Sequence, residues 1–235
     1  MKFLILFILG TILGSSAECY AMRQTNNHSL VKRSFCDNCH KTLMLWQLIP
    51  IIGFIVQFGR CYYCKRPINI RSTLIELIFG SYIAFLFLCS PILITIKYLV
   101  FFGWLLFLAL EDFYLTSVNV FTFFIGYFVI LILNFNTIKI NLLLFPFENL
   151  YFYIIFILLS YFKKLGWADT WLFILIGCYF GFYFLIFTIF FSCLFILVFY
   201  IFNKNSDQEF AFIPWILLGI LFCFILNHIY IYFWI

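Results

Sequence analysis

The chain of 235 residues is 66% hydrophobic and only 10% charged, with a formal net charge of +5. That leaves too little polar surface to cover a water-soluble core of this size, so the composition excludes an ordinary soluble domain and fits an integral membrane protein. Membrane insertion and nearby anionic lipid account for the positive excess, which therefore calls for no nucleic-acid partner.

Crossing ~30 Å of hydrocarbon takes about 20 apolar residues. On that measure the expected fold class is all-α, a polytopic transmembrane helical bundle of seven to eight spans. They fall near residues 3–22, 72–90, 92–110, 116–135, 142–161, 170–202 and 211–235. The opening MKFLILFILGTILGSSAEC also fits a secretory signal, but it is read here as the first helix. The run 170–202 is too long for one helix, and Gly177 and Gly181 offer a break into a short span and a full one. The same Gly177-x3-Gly181 spacing is expected to serve a helix contact within the chain. Beyond a bias to Phe, Ile and Leu, no internal repeat is evident.

Arg23, Lys32, Arg33, Lys41, Arg60, Lys65, Arg66 and Arg71 all fall in the first inter-helix stretch. An excess of basic residues marks cytoplasmic loops, so that stretch is expected inside. Alternation across eight spans adds Lys163, Lys164 and Lys204 to the inner side and leaves only Lys2, Lys97 and Lys139 outside. The expected organisation is a first transmembrane helix at 1–23, a cytoplasmic cysteine-rich loop at 24–71 and a transmembrane core at 72–235.

Within the loop, Cys36-x2-Cys39 and Cys61-x2-Cys64 have the spacing of a four-thiolate zinc knuckle. Asp37, Asn38 and Gly59 favour turns, while Arg60 and Lys65 offset thiolate charge. Metal binding contributes on the order of 10 kcal/mol to a segment too small to fold on its own core. A redox role is disfavoured on the cytosolic side, where disulfides rarely persist. Cys19, Cys89, Cys178, Cys193 and Cys223 lie in apolar runs and are expected as small core residues. The apolar stretch 43–54 between the pairs is too short to span and is broken by Pro50; it reads as an interfacial or re-entrant piece.

Acids near apolar helices are costly, about 2.5 to 3.5 kcal/mol at the bilayer centre. Asp112 ends the third span and Asp169 opens the sixth. Either one alone reads as an interfacial cap. Two on one leaflet point to a shared site. Carboxylates ~4 Å apart repel by roughly 4 kcal/mol at an effective dielectric of 20, so a pair shares a proton. One member then polarises a peptide carbonyl while the other takes a proton from water. Glu76, just inside the second span, fits a substrate-contacting acid and a snorkelling residue equally well. Glu111 and Glu148 are expected at the interface, and Asp207 and Glu209 in a solvated loop. His28, His40 and His228 are scattered and offer no nucleophile partner.

Taken together, these pieces resemble the prepilin peptidases, also called type IV leader peptidases, of the GxGD membrane aspartic protease group. Gly14-Ser15 with Arg23 looks like the family's opening helix, Ser34 to Leu43 like its first cysteine motif and Leu48-Ile49-Pro50-Ile51 like the segment after it. Gly59 to Cys64 resembles the second cysteine motif, and Leu74-Ile75-Glu76-Leu77 the next helix start. Gly166-Trp167-Ala168-Asp169 looks like the GxGD motif, and Phe212-Ile213-Pro214-Trp215 like the opening of the last helix. The chain departs at Ala168, where the motif has glycine, and at Val118-Asn119, where relatives usually have an apolar-Pro step.

The resemblance implies an endopeptidase with Asp112 and Asp169 catalytic and with Glu76, Lys164, Gly166 and Ala168 contacting substrate. It implies zinc on Cys36, Cys39, Cys61 and Cys64. The implied partners are prepilins or pilin-like proteins of DNA-uptake or secretion systems, cut after a short basic leader at the cytoplasmic membrane face. For relatives that also methylate the new N-terminus it implies S-adenosylmethionine. Two other readings stay open on the residues alone: a membrane scaffold with a zinc loop, and a membrane thiol-disulfide exchanger.

Overall fold

The computed structural model describes residues 2–25, 33–36, 38–89, 91–144, 146–202 and 211–234. Of the residues weighed above, His28, Lys32, Asp37, Lys204, Asp207 and Glu209 lie outside the described residues, as do the side chains of Lys2, Cys89, Glu148 and His228. Helices dominate: α1 (Lys2–Thr25), α2 (Ile52–Val56), α3 (Ile70–Cys89), α4 (Ile92–Leu115), α5 (Val120–Leu133), α6 (Phe135–Leu144), α7 (Pro146–Tyr161), α8 (Trp167–Phe180), α9 (Phe182–Phe202) and α10 (Ile213–Trp234). A 3-10 turn, Leu45–Leu48, precedes α2. Among the described residues there is no β-strand, only two isolated antiparallel bridges, Phe35 to Thr42 and Arg60 to Pro67. The all-α expectation therefore holds.

Three helical stretches are long and apolar enough to cross a bilayer, Phe3–Thr25, Leu93–Leu115 and Phe182–Phe202. The pair α5 and α6 qualifies jointly but bends by 78°. Leu150–Tyr161, Trp167–Phe180 and Ile213–Leu226 are shorter apolar helices. This is the architecture of a multi-pass membrane protein. The stretch 136–141, expected to connect two spans, is instead helical within α6. The turn is made at Asn134, which leaves helical geometry at φ −116° while its Nδ2 donates to the Ile130 carbonyl. The expected break in 170–202 falls at Gly181, where φ of +94° is open to glycine and strained for other residues.

The chain forms two compact units, Met1–Leu110 and Glu111–Ile235. In the first, α1 and α3 approach until side chains no longer fit between them. A Cβ on Gly10 would stand 2.8 Å from Gly80 Cα, and one on Gly14 would stand 3.2 Å from Glu76 Cα. Small residues permit this contact where lipid supplies no hydrophobic drive. Tyr82 of α3 meets Phe102 of α4 edge-on at 4.9 Å, and Phe101, Leu105 and Leu108 complete a buried layer.

In the second unit α8 is central, burying Leu172, Leu175 and Ile176. Asn141 of α6 donates from Nδ2 to the Cys178 and Tyr179 carbonyls at 3.1 and 2.8 Å, satisfying acceptors that the end of α8 leaves open. Gly177 lies under Tyr153 and Leu185, so its lack of a side chain serves a contact within the chain. Gly219 of α10 faces Ser192 and Thr188 of α9 in the same way.

Candidate functional site

The second unit holds both aspartates. Asp112 lies in the last turn of α4, is buried, and accepts a hydrogen bond at Oδ2 from the Ile213 N–H at 3.0 Å. Ile213 opens α10, whose first N–H groups have no partner within the helix. Phe212 has no side-chain oxygen to cap them. Asp112 therefore supplies from α4 the cap that α10 lacks, which fixes the carboxyl group across the sequence gap.

Asp169 occupies the first turn of α8, half-buried, with Gly166 as the residue before the helix. A Cβ on Gly166 would come within 2.8 Å of Asp169 Oδ2, so glycine leaves the room in which that carboxylate sits. Asp112 and Asp169 lie within charge–charge range of each other. One helical turn further along α8, Phe173 packs on Phe212 with ring centroids 5.9 Å apart, next to the amide that holds Asp112. The end of α4 and the starts of α8 and α10 thus converge on two carboxyl groups.

The other motif residues fall around this point in different ways. Ala168 is buried in α8 and is absent from the residues with positive φ, so this backbone makes no demand for glycine there. Lys164 and Gly166 are exposed. Trp167 packs against Phe123 and Phe124 of α5 at 5.0 and 6.1 Å, anchoring the start of α8. Glu111, expected at the interface, is only 1% exposed and accepts from Thr122 Oγ1 at 3.2 Å. Its neighbour in sequence, Asp112, gave no hint of that enclosure.

In the first unit the four cysteines meet, with all Sγ atoms within 4.8 Å of one another and Cys36 Sγ 3.9 Å from Cys64 Sγ. Tetrahedral zinc with Zn–S of ~2.3 Å sets sulfurs ~3.8 Å apart, so the donor set fits that ion. Two turns of the same backbone design bring them together. In one, Cys36 N–H donates to the Lys41 carbonyl, His40 N–H to Cys36 and Leu43 N–H to Ser34. In the other, Cys61 N–H donates to Arg66, Lys65 N–H to Cys61 and Ile68 N–H to Gly59. His40 and Lys65 take the same left-handed position, at φ 55° and 58°. The turns also grip each other reciprocally: Arg66 donates to Asn38 Oδ1 at 3.2 Å, and Lys41 Nζ lies 5.1 Å from the Tyr63 ring centre.

Burial works against ionisation of Cys61, yet the backbone N–H groups of Cys64 and Tyr63 and the thiols of Cys36 and Cys64 bring it down to about 7. Burial pushes its neighbour Cys36 up to about 11. Of the remaining described cysteines, Cys223 is buried as expected, Cys19 and Cys178 are partly so, and Cys193 is exposed.

Beside the cluster lies a cavity of about 370 Å³, lined by Glu18, Arg23, Ser34, Gln57, Asn69 and Glu76 among others. Glu76 is 6% exposed and accepts at Oε2 from the Ile51 N–H at 2.8 Å. Its visible partner is therefore the loop itself. Glu18 is enclosed in the same wall.

Residues 8–90 match the family described as Bacterial Peptidase A24 N-terminal domain. A prepilin leader peptidase/N-methyltransferase of Burkholderia pseudomallei strain 1026b is 41% identical over 51 residues, 22% of this chain and 16% of the relative. One of Legionella pneumophila is 43% identical over 44 residues, 19% of this chain and 15% of the relative. One of Bacillus subtilis strain 168 is 39% identical over 75 residues, 32% of this chain and 30% of the relative. The matched stretches thus span less than a third of these relatives' own lengths. No solved structure matches the chain. The cysteine turns and the first helices thus lie in a stretch similar to a bacterial peptidase A24 N-terminal domain, and parts of the chain are similar to prepilin leader peptidases.

Proposed function

We propose that this chain is a membrane-embedded aspartic endopeptidase that removes the short basic leader of prepilins or pilin-like proteins at the cytoplasmic membrane face. The observation that carries this reading is that Asp112 is bonded to the start of α10, where Phe212 packs on Phe173, one turn from Asp169 on α8. In the proposed reaction one carboxylate removes a proton from water, and the water oxygen attacks the scissile carbonyl carbon. The protonated partner donates to the carbonyl oxygen, and collapse of the tetrahedral adduct releases the amine after it takes up a proton. Lys164 and Gly166, exposed beside Asp169, are assigned to substrate.

Cys36, Cys39, Cys61 and Cys64 would hold zinc, which when bound cross-links the two turns and supplies folding free energy rather than chemistry. The curated relatives carry N-methyltransferase in their names, and S-adenosylmethionine is the methyl donor we assign to such a second activity. The cavity beside the cysteines falls in the ~300–1,000 Å³ range of small-molecule sites and is its proposed place.

Co-expression with a candidate prepilin tests the peptidase reading. The wild type should shorten the substrate by its leader and Asp169→Asn should leave it full length; processing by both would overturn the assignment.

A further inference from the structure

The segment 44–58 between the cysteine turns presents an unusual surface. Met44, Leu45, Leu48, Ile49, Ile52, Ile55, Val56 and Phe58 are all exposed, with Leu45 at 75% and Phe58 at 90%. Phe58 and Ile51 hold left-handed φ values of 51° and 61°, a conformation that costs bulky and β-branched residues free energy. A contiguous apolar face held in strained geometry is a liability in water and marks a surface made for another phase.

Where this face sits along the helices identifies that phase. Ile51 is hydrogen-bonded to Glu76, which lies six residues past Ile70, about 9 Å into α3. Leu48 and Pro50 share a depression with Ile12, Ser15 and Cys19 of α1. Ile12 lies about 20 Å back along α1 from its end at Thr25. The segment is therefore folded back alongside the two helices rather than extended beyond them. Trp46 and Tyr62 meet edge-on at 5.9 Å, the residue types that settle at headgroup level. Lys41, Arg60, Lys65 and Arg66 on the adjoining turns and Arg71 at the start of α3 are exposed, and the only acid in residues 24–71 is Asp37.

We infer that residues 44–58 form a wedge inserted into one leaflet of the bilayer, with the surrounding basic residues on anionic lipid headgroups. The occupant of the apolar face is acyl chain, and Glu76 is the clasp that sets the wedge's depth against α3. A short amphipathic element of this kind binds through buried apolar area plus attraction to anionic lipid. The inference rests on α1 and α3 spanning the membrane and is independent of the peptidase assignment.

The test uses the full chain in bilayers, with tryptophan placed by Phe58→Trp and, as a second reporter, Ile55→Trp. The emission added to that of the parent chain should fall roughly by half or more in lipid brominated on the upper acyl chain, and should resist aqueous acrylamide. Quenching by acrylamide but not by brominated lipid would overturn the inference. So would insensitivity to both, which would mean that protein, such as a second copy of the chain, covers the face. Phosphatidylglycerol bilayers should give deeper quenching than phosphatidylcholine at low salt, and equal quenching would remove the headgroup part. The readout is fluorescence, so loss of peptidase activity leaves it interpretable.

Discussion

The Ile213 N–H donates to Asp112 Oδ2 at 3.0 Å, so the first turn of α10 is capped by a carboxylate from the end of α4. That bond separates structure from chemistry. Asp112→Asn keeps an oxygen able to accept it and removes the ionisable group. Asp112→Ala removes both. Circular dichroism and thermal unfolding in detergent should show Asn close to wild type, and Ala lower by about 1–3 kcal/mol for the unsatisfied amide. Leader cleavage should be lost in both.

The proposed reaction needs one carboxyl group protonated and the other ionised. Cleavage of a synthetic prepilin segment should therefore follow a bell-shaped pH profile, falling on the acid side as both protonate and on the alkaline side as both ionise. A profile that rises to a plateau would mean that one acid acts alone.

Glu76 accepts from Ile51 across 25 residues of sequence. Glu76→Gln retains an acceptor, whereas Glu76→Leu strands a backbone N–H. Hydrogen exchange over residues 49–56 should be near wild type in the first and accelerated in the second. Equal acceleration in both would show that the charge, not the bond, holds the segment.

Gly80 stands where a Cβ would come 2.6 Å from Thr11 Cγ2 and 3.1 Å from the Phe7 carbonyl oxygen. Gly80→Val should cost about 1–3 kcal/mol by forcing α1 from α3, read as a lower midpoint of thermal unfolding. By contrast Ala168, in ordinary helical geometry, should lose about 1 kcal/mol on replacement by glycine.

The four thiols predict one zinc per chain by metal analysis of purified protein. Cys61→Ser should lower that content and raise the susceptibility of the loop to protease. Metal-free wild type with a protease-resistant loop would remove the site.

What the residues disclosed and what they hid divide along physical lines. Cysteine spacing carries its own geometry, because only a tight turn lets C-x2-C chelate, and the break at Gly181 follows from a glycine inside an apolar run. What the spacing left unwritten is the rest of each turn, which lies in backbone hydrogen bonds and in the left-handed His40 and Lys65. Asn134 reads as an ordinary polar residue, yet it turns α5 into α6 by closing its own side chain on the Ile130 carbonyl. Glu111 accepts from Thr122, eleven residues away on another helix, and periodicity near a helix end cannot supply that partner. Ala168 shows the reverse case: a motif position expected to need glycine's freedom sits in a regular helix.

The shared carboxyl site is tested most directly by purified wild type, Asp112→Asn, Asp169→Asn and the double variant acting on one prepilin segment in bilayers. Two groups acting as a unit predict that each single change slows cleavage on the order of a hundredfold to ten-thousandfold and that the double is no slower than the worse single. Substantial cleavage by either single variant, or losses that multiply in the double, would contradict it.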